Sequence, residues 1–89
     1  MKNDWFAYLL QCGDGSIYAG VARDVARRMK DHEGPKGSRY VRAHGGPSRL
    51  LWSSGPMARS DALRLEIRLK AMPRERKIAL VEGRAAIAA

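Results

Sequence analysis

Phe6-Ala7-Tyr8-Leu9-Leu10 has the residue types of a strand and carries apolar side chains on both of its faces. No other stretch constrains the fold as much. Successive strand residues point to opposite sides, so such a run must be covered above and below. Cys12-Gly13-Asp14-Gly15-Ser16 is turn chemistry, and Ile17-Tyr18-Ala19-Gly20-Val21 reads as the returning strand of a β-hairpin. Helices on both sides of a small sheet supply the cover. The fold class is therefore α/β in the broad sense, α+β in the strict one.

The rest of the chain provides those helices and one more strand. Asp24 is a suitable N-cap for a helix through about Asp31, and Gly34-Pro35-Lys36-Gly37 breaks it. Ser38 to Ala43 reads as one short helical turn, ended by His44-Gly45-Gly46-Pro47. Arg49-Leu50-Leu51-Trp52-Ser53 reads as a third strand, closed by Gly55-Pro56. Ser60 is the expected N-cap of a helix reaching Ala71 or Met72, with Asp61 in its first turn. Pro73 suits the first turn of a last helix ending near Gly83. Residues 1–83 are expected to form a single domain, followed by a small, fraying tail from Arg84 to Ala89.

Composition narrows the function. With 89 residues and 45% apolar content, the chain suits one folded domain. The one cysteine, Cys12, excludes an internal disulfide framework and a cysteine-ligated metal site within the chain. No apolar run is long enough to span a bilayer, and the first residues lack signal-peptide features. A cytoplasmic protein without a membrane partner is expected. Lys and Arg total 17 against 9 acids, a net charge of +8, and Arg outnumbers Lys. So basic a domain attracts polyanions, nucleic acid first among them, and arginine grips phosphate in a planar, bidentate way.

Five side chains, with Gly20 beside them, are candidates for chemistry; plain core or edge aromatics for Tyr8 and Tyr18, and a solvated helix face for Arg28 and His32, are the alternatives. If the hairpin turns about Asp14, Tyr8 and Tyr18 share a face as diagonal neighbours about 7–8 Å apart; a one-residue slip would separate them. Gly20 lets a side chain or a phosphate approach the backbone closely. Arg28 and His32 lie four apart on one helix face, an arrangement suited to a phosphate oxygen and to proton traffic. Glu66 falls, at 100° per residue, inside an apolar arc of Ala62, Leu63, Leu65, Ile67, Leu69 and Met72. A carboxylate so placed needs a partner or a metal. An ion pair with Lys70 at i+4 and a metal-binding role are both compatible with that position.

Taken in order, Phe6-Ala7-Tyr8, Tyr18-Ala19-Gly20, Arg28 ten residues after Tyr18, His32 four further on, and a later helical Glu66 resemble the GIY-YIG nuclease superfamily. Lys36-Gly37-Ser38-Arg39-Tyr40 and the A-x-x-x-E-x-x-x-K pattern of Ala62 to Lys70 resemble its small stand-alone bacterial members. The resemblance runs from about Phe6 to Gly83. It implies a central three-stranded antiparallel sheet flanked by helices. It also implies a single Mg²⁺ (or Mn²⁺) ion held by Glu66 and waters. One tyrosine, Tyr18 with Tyr8 in support, would act as general base, although the sequence does not separate the two. Arg28 would stabilise charge on the scissile phosphate, and His32 would orient or deprotonate the tyrosine or touch the phosphate. Arg23, Arg27, Lys36 and Arg39 are candidates for the nucleic-acid groove. The expected substrate is DNA, with RNA left open and a protein partner for targeting conceivable. The sequence departs from the family pattern in three places: Phe6 stands for the first glycine, Ala22 replaces a common Ser or Thr, and no late asparagine is present. A basic nucleic-acid-binding domain with little or no catalysis is the alternative.

Overall fold

The hairpin forms where its turn residues put it. In a computed structural model of the chain, which describes residues 3–87, β1 (Phe6–Cys12) pairs antiparallel with β2 (Ile17–Ala22). Asp14 Oδ1 accepts hydrogen bonds from the Ser16 backbone N–H at 2.9 Å and the Ser16 hydroxyl at 2.7 Å, a side chain closing its own turn. The register sets Tyr8 opposite Gly20 and Leu10 opposite Tyr18, so the two tyrosines do share a face. β3 (Pro47–Ser53) pairs with the other edge of β1, giving an antiparallel sheet in the order β2-β1-β3. It begins two residues before the expected Arg49. Pro47, opposite Cys12, takes the first position, where a missing N–H is tolerated.

Among the described residues, four helices cover the sheet: α1 (Val25–His32), α2 (Arg39–Ala43), α3 (Arg59–Ala71) and α4 (Arg74–Val81). Asp24 caps α1 through a bond from the Arg27 N–H, and Ser38 caps α2 through one from the Tyr40 N–H. Two caps differ from expectation. α3 starts at Arg59 with Ala58 as N-cap, and Ser60 lies inside the first turn. The cause is tertiary: Trp5 and Met57 exchange backbone hydrogen bonds of 3.0 and 2.9 Å, holding Met57 extended so that the helix starts at once. Pro73 is the N-cap of α4, one position before the first turn, and its carbonyl accepts from the Arg76 and Lys77 N–H groups.

Alternate residues of β1 enter two cores. Ala7 and Leu9 pack with Ala19, Leu65, Leu69 and Leu80 beneath α3 and α4. Tyr8, Leu10 and Cys12 pack with Ala22 and Val41 beneath α1 and α2. On α3 the buried stripe is narrower than the expected arc: Ala62, Leu65 and Leu69 are buried, while Ile67 is 66% exposed. Glu66 borders that stripe with its side chain 18% exposed. Ile87 lies against the α3–α4 core, so the tail is tied down there; Met1, Lys2, Ala88 and Ala89 lie outside the described residues. Among the described residues, no helix is long and apolar enough to cross a membrane.

Candidate active site

The α1–α2 face holds a buried polar pair. Tyr8 and His32 are each only 1% exposed, and the Tyr8 hydroxyl lies 2.8 Å from His32 Nε2. His32 is the last residue of α1, which Asp24 starts at a fixed point, so the cap sets where the imidazole arrives. The other ring nitrogen, Nδ1, accepts the Ser38 backbone N–H at 3.2 Å. A backbone amide only donates, so the neutral ring carries its proton on Nε2 and donates it to the phenol oxygen. The Tyr8 O–H is thereby left to point onward into the site.

Two glycines make this geometry. A Cβ on Gly20 would lie 2.6 Å from the Tyr8 hydroxyl oxygen and 3.0 Å from a Tyr18 ring carbon. Glycine at that position gives the Tyr8 phenol its resting place across β2. A Cβ on Gly37 would lie 2.5 Å from the His32 Cα and 2.7 Å from the Asp31 carbonyl. Gly37 thus lets its loop press on the end of α1, which brings the Ser38 N–H to the imidazole.

Tyr18 stands beside this pair, its ring centroid 6.4 Å from Tyr8 and 5.5 Å from His32. Arg28, one turn before His32, donates to the Lys36 carbonyl at 3.1 Å and lies 3.8 Å from Asp31. Burial, then the neighbouring Tyr18, pushes the Tyr8 phenol up to about 12, against the pull of Arg28; the negative charge of Glu66 adds to the rise. Burial and the Arg28 cation hold His32 below its usual value, so it is neutral at neutral pH. The charges of Arg28 and Glu66 are therefore both felt at the Tyr8 phenol.

The remaining assignments separate. Arg23 is engaged on Asp4, its Nε and Nη2 donating to Oδ2 at 3.1 and 2.7 Å. Arg27, Lys36 and Arg39 are exposed near α1 and α2. Glu66 Oε2 lies 3.7 Å from Lys70 Nζ, so the ion pair weighed against a metal role is present, as a loose one. Among the described residues no three His, Cys, Asp or Glu side chains gather as a metal cage. One partly exposed carboxylate suits a hard ion that keeps most of its water and takes further oxygens from a phosphate. The residues present fit a single weakly held divalent ion in that sense.

Ser38, Gly37, Tyr40 and Lys77 were not assigned roles from the sequence. Gly37, Ser38 and Tyr40 lie in the stretch that carried a resemblance alone. The signal for Tyr40 was available in His44 at i+4: their rings stack at 3.8 Å and 17°.

The three-stranded antiparallel sheet thus carries one phenol laid over a glycine and a second beside it. The chain belongs to the GIY-YIG family: the family described as GIY-YIG catalytic domain matches residues 4–78, and that family defines a nuclease superfamily. A UPF0213 protein of Vibrio cholerae is 40% identical, covering 98% of this chain and 86% of its own length. One from Streptococcus sanguinis is 37% identical, covering 94% and 95%. The solution structure of a UPF0213 protein from Bacillus halodurans superposes with a TM-score of 0.54 at 37% identity, covering 88% of this chain and 82% of that one. Nucleases of this family are generally dependent on a divalent metal.

Proposed function

We propose that this protein is a metal-dependent endonuclease that hydrolyses DNA phosphodiester bonds. The observation that carries the reading is the Tyr8–His32 pair laid over Gly20, with Tyr18 beside it and the charges of Arg28 and Glu66 felt at the Tyr8 phenol.

The geometry supports the following roles. Tyr8 is buried, accepts the His32 Nε2 proton as a hydrogen bond and is pushed up to about 12, so it stays neutral and donates to a phosphate oxygen. Tyr18, half-buried at the rim, is the general base. Acting as its phenolate, with its own proton first released to solvent, it takes the proton of the attacking water as the new P–O bond forms and the scissile P–O bond breaks, the electron pair leaving with the departing oxygen. Arg28 binds a phosphoryl oxygen and balances the charge that grows there. Glu66 would hold Mg²⁺ or Mn²⁺, which when bound supplies Lewis-acid polarisation and charge neutralisation at the leaving oxygen. Phosphate contacts of this kind position a strand without reading its sequence. The reading therefore extends to irregular DNA in repair or processing, in the cytoplasm, with targeting supplied by a protein partner.

A second reading, a nucleic-acid binder without cleavage, draws on the Glu66–Lys70 pair, which occupies the carboxylate without a metal. Nicking of supercoiled and branched DNA with Mg²⁺ or Mn²⁺, beside a chelator control, separates the two. Glu66→Gln keeps the size of the side chain and removes its charge. It should abolish cleavage and leave binding in chelator equal or slightly tighter. If Glu66→Gln cleaves as well as the parent, the metal role is wrong and the Lys70 pair is what Glu66 is for.

A further inference from the structure

Beyond the tyrosine pair, along the outer edge of β2, lies a second concavity of about 360 Å³, lined by Ile17, Tyr18, Ala19, Tyr40, Lys70 and Lys77. It opens where α2, on one face of the sheet, and α3 and α4, on the other, overhang the edge strand. Tyr18 belongs both to this cleft and to the candidate active site. We propose that the cleft is a subsite for one unpaired nucleotide of the substrate strand, adjoining the scissile phosphate. The proposal rests on the nuclease reading and adds to it the state of the DNA that fits.

The lining has the two properties a nucleotide needs together. Tyr18 and Tyr40, with Ile17 and Ala19, offer aromatic and apolar surface to a flat base. Lys70 and Lys77 offer ammonium groups to the attached phosphate, and among the described residues no carboxylate lines the cleft. The Lys70–Glu66 pair is long and solvent-reached, so it contributes little and leaves Lys70 able to turn to a phosphate. Lys77 is half-buried, and burial, then Arg74, lowers its affinity for a proton; the negative charge of an arriving phosphate offsets these effects.

Tyr40 is prepared for the task. It is 42% exposed, and an exposed tyrosine ordinarily loses side-chain freedom on binding. Here one ring face is stacked on the His44 imidazole, which is itself fixed by its Nδ1–H donating to the Tyr40 carbonyl at 2.7 Å. Tyr18 lies 5.7 Å away, tilted by 31°. The ring is thus held in place before any ligand arrives.

Within a continuous duplex each base is stacked between neighbours and its face is closed to a side chain. A single strand, flap or splayed end exposes that face. The subsite therefore selects DNA with an unpaired base beside the cut, and does so without regard to which base, because every base has a π-face.

The test is fluorescence anisotropy at low salt in chelator. Three labelled probes are compared: an oligodeoxythymidylate of about a dozen residues, an abasic backbone of equal length, and a blunt duplex. The parent should bind the base-bearing strand about tenfold more tightly than the abasic one. Tyr40→Leu should erase that gap while keeping the abasic affinity, and Tyr40→Phe should preserve it. Lys77→Gln should weaken both strands alike and reduce the logarithmic salt slope by about 0.7. Equal binding of the base-bearing and abasic strands by the parent, or an unchanged gap in a folded Tyr40→Leu, overturns the subsite. The nuclease reading survives either result, because cleavage and its loss in Glu66→Gln decide it separately. No binding of any probe at low salt removes both.

Discussion

Among the described residues, the buried side chains beneath α3 and α4 are all apolar: Ala7, Leu9, Ala19, Leu65, Leu69 and Leu80. Beneath α1 and α2, Leu10, Cys12, Ala22 and Val41 share their layer with the Tyr8 phenol and the His32 imidazole. A domain this small has a limited core, and burying two polar rings in half of it forgoes apolar stabilisation. The loss is held down because no buried side-chain N or O atom among the described residues lacks a hydrogen-bond partner. One face thus stores stability in burial area, which tolerates small shifts. The other is fixed by hydrogen bonds and close glycine contacts, which do not. Substitutions on the two faces should therefore fail differently.

The largest effect is expected on the apolar face. Leu69→Ala, at a fully buried site, should destabilise by about 3 kcal/mol in urea unfolding, while the folded fraction keeps its cleavage rate. A stable Leu69→Ala with impaired catalysis would break the division of labour. On the polar face, Gly20→Ala should instead reach the chemistry. Its methyl group meets the Tyr8 hydroxyl at 2.6 Å and displaces the phenol, so cleavage by the folded fraction should fall roughly a hundredfold, with about 1–2 kcal/mol of stability lost to the crowding. Full activity in Gly20→Ala would show that the position of Tyr8 is not critical.

Tyr8→Phe leaves the His32 Nε2–H without its partner in a buried place. About 1–2 kcal/mol of stability should be lost with no change of shape. pH sharpens the same contrast. The His32 imidazole is held below its usual 6.5, so the folded state favours the neutral ring. As pH falls from 6.5 toward the lowered folded value, the unfolded chain gains a proton that the folded chain does not. The stabilisation present above 6.5 is then lost. Thermal unfolding followed from pH 7.5 to 5.5 should show this decline, and His32→Gln should flatten it. The opposite trend would mean that the ring is charged in the fold. The smallest effect concerns the outer surface. Arg27→Gln with Arg39→Gln, on α1 and α2, should weaken DNA binding several-fold and lower its salt dependence, whereas Arg76→Gln on α4 should not. Equal losses on both sides would mean diffuse attraction rather than a face.

Much of this was legible in the residues. The two-faced apolar run of β1 required cover on both sides, and turn chemistry centred on Asp14 set the parity that joins Tyr8 to Tyr18. Asp24 and Ser38 act as caps because capping is local: an oxygen two or three residues from an open N–H needs nothing from the rest of the chain. The start of α3 was not legible from Ser60. The Trp5–Met57 bridge that fixes it joins residues distant in sequence.

The sequence by itself therefore determined the fold class and the pairing of the hairpin. Both follow from the two-residue period of the strands, the period of about 3.6 residues in the helices, and turn chemistry. Only the tertiary structure decided that the Ser38 N–H sets the His32 tautomer, that Gly37 allows it, and that Tyr40, Lys70 and Lys77 meet beside Tyr18. Those relations depend on distances between elements, which packing fixes and no local spacing encodes.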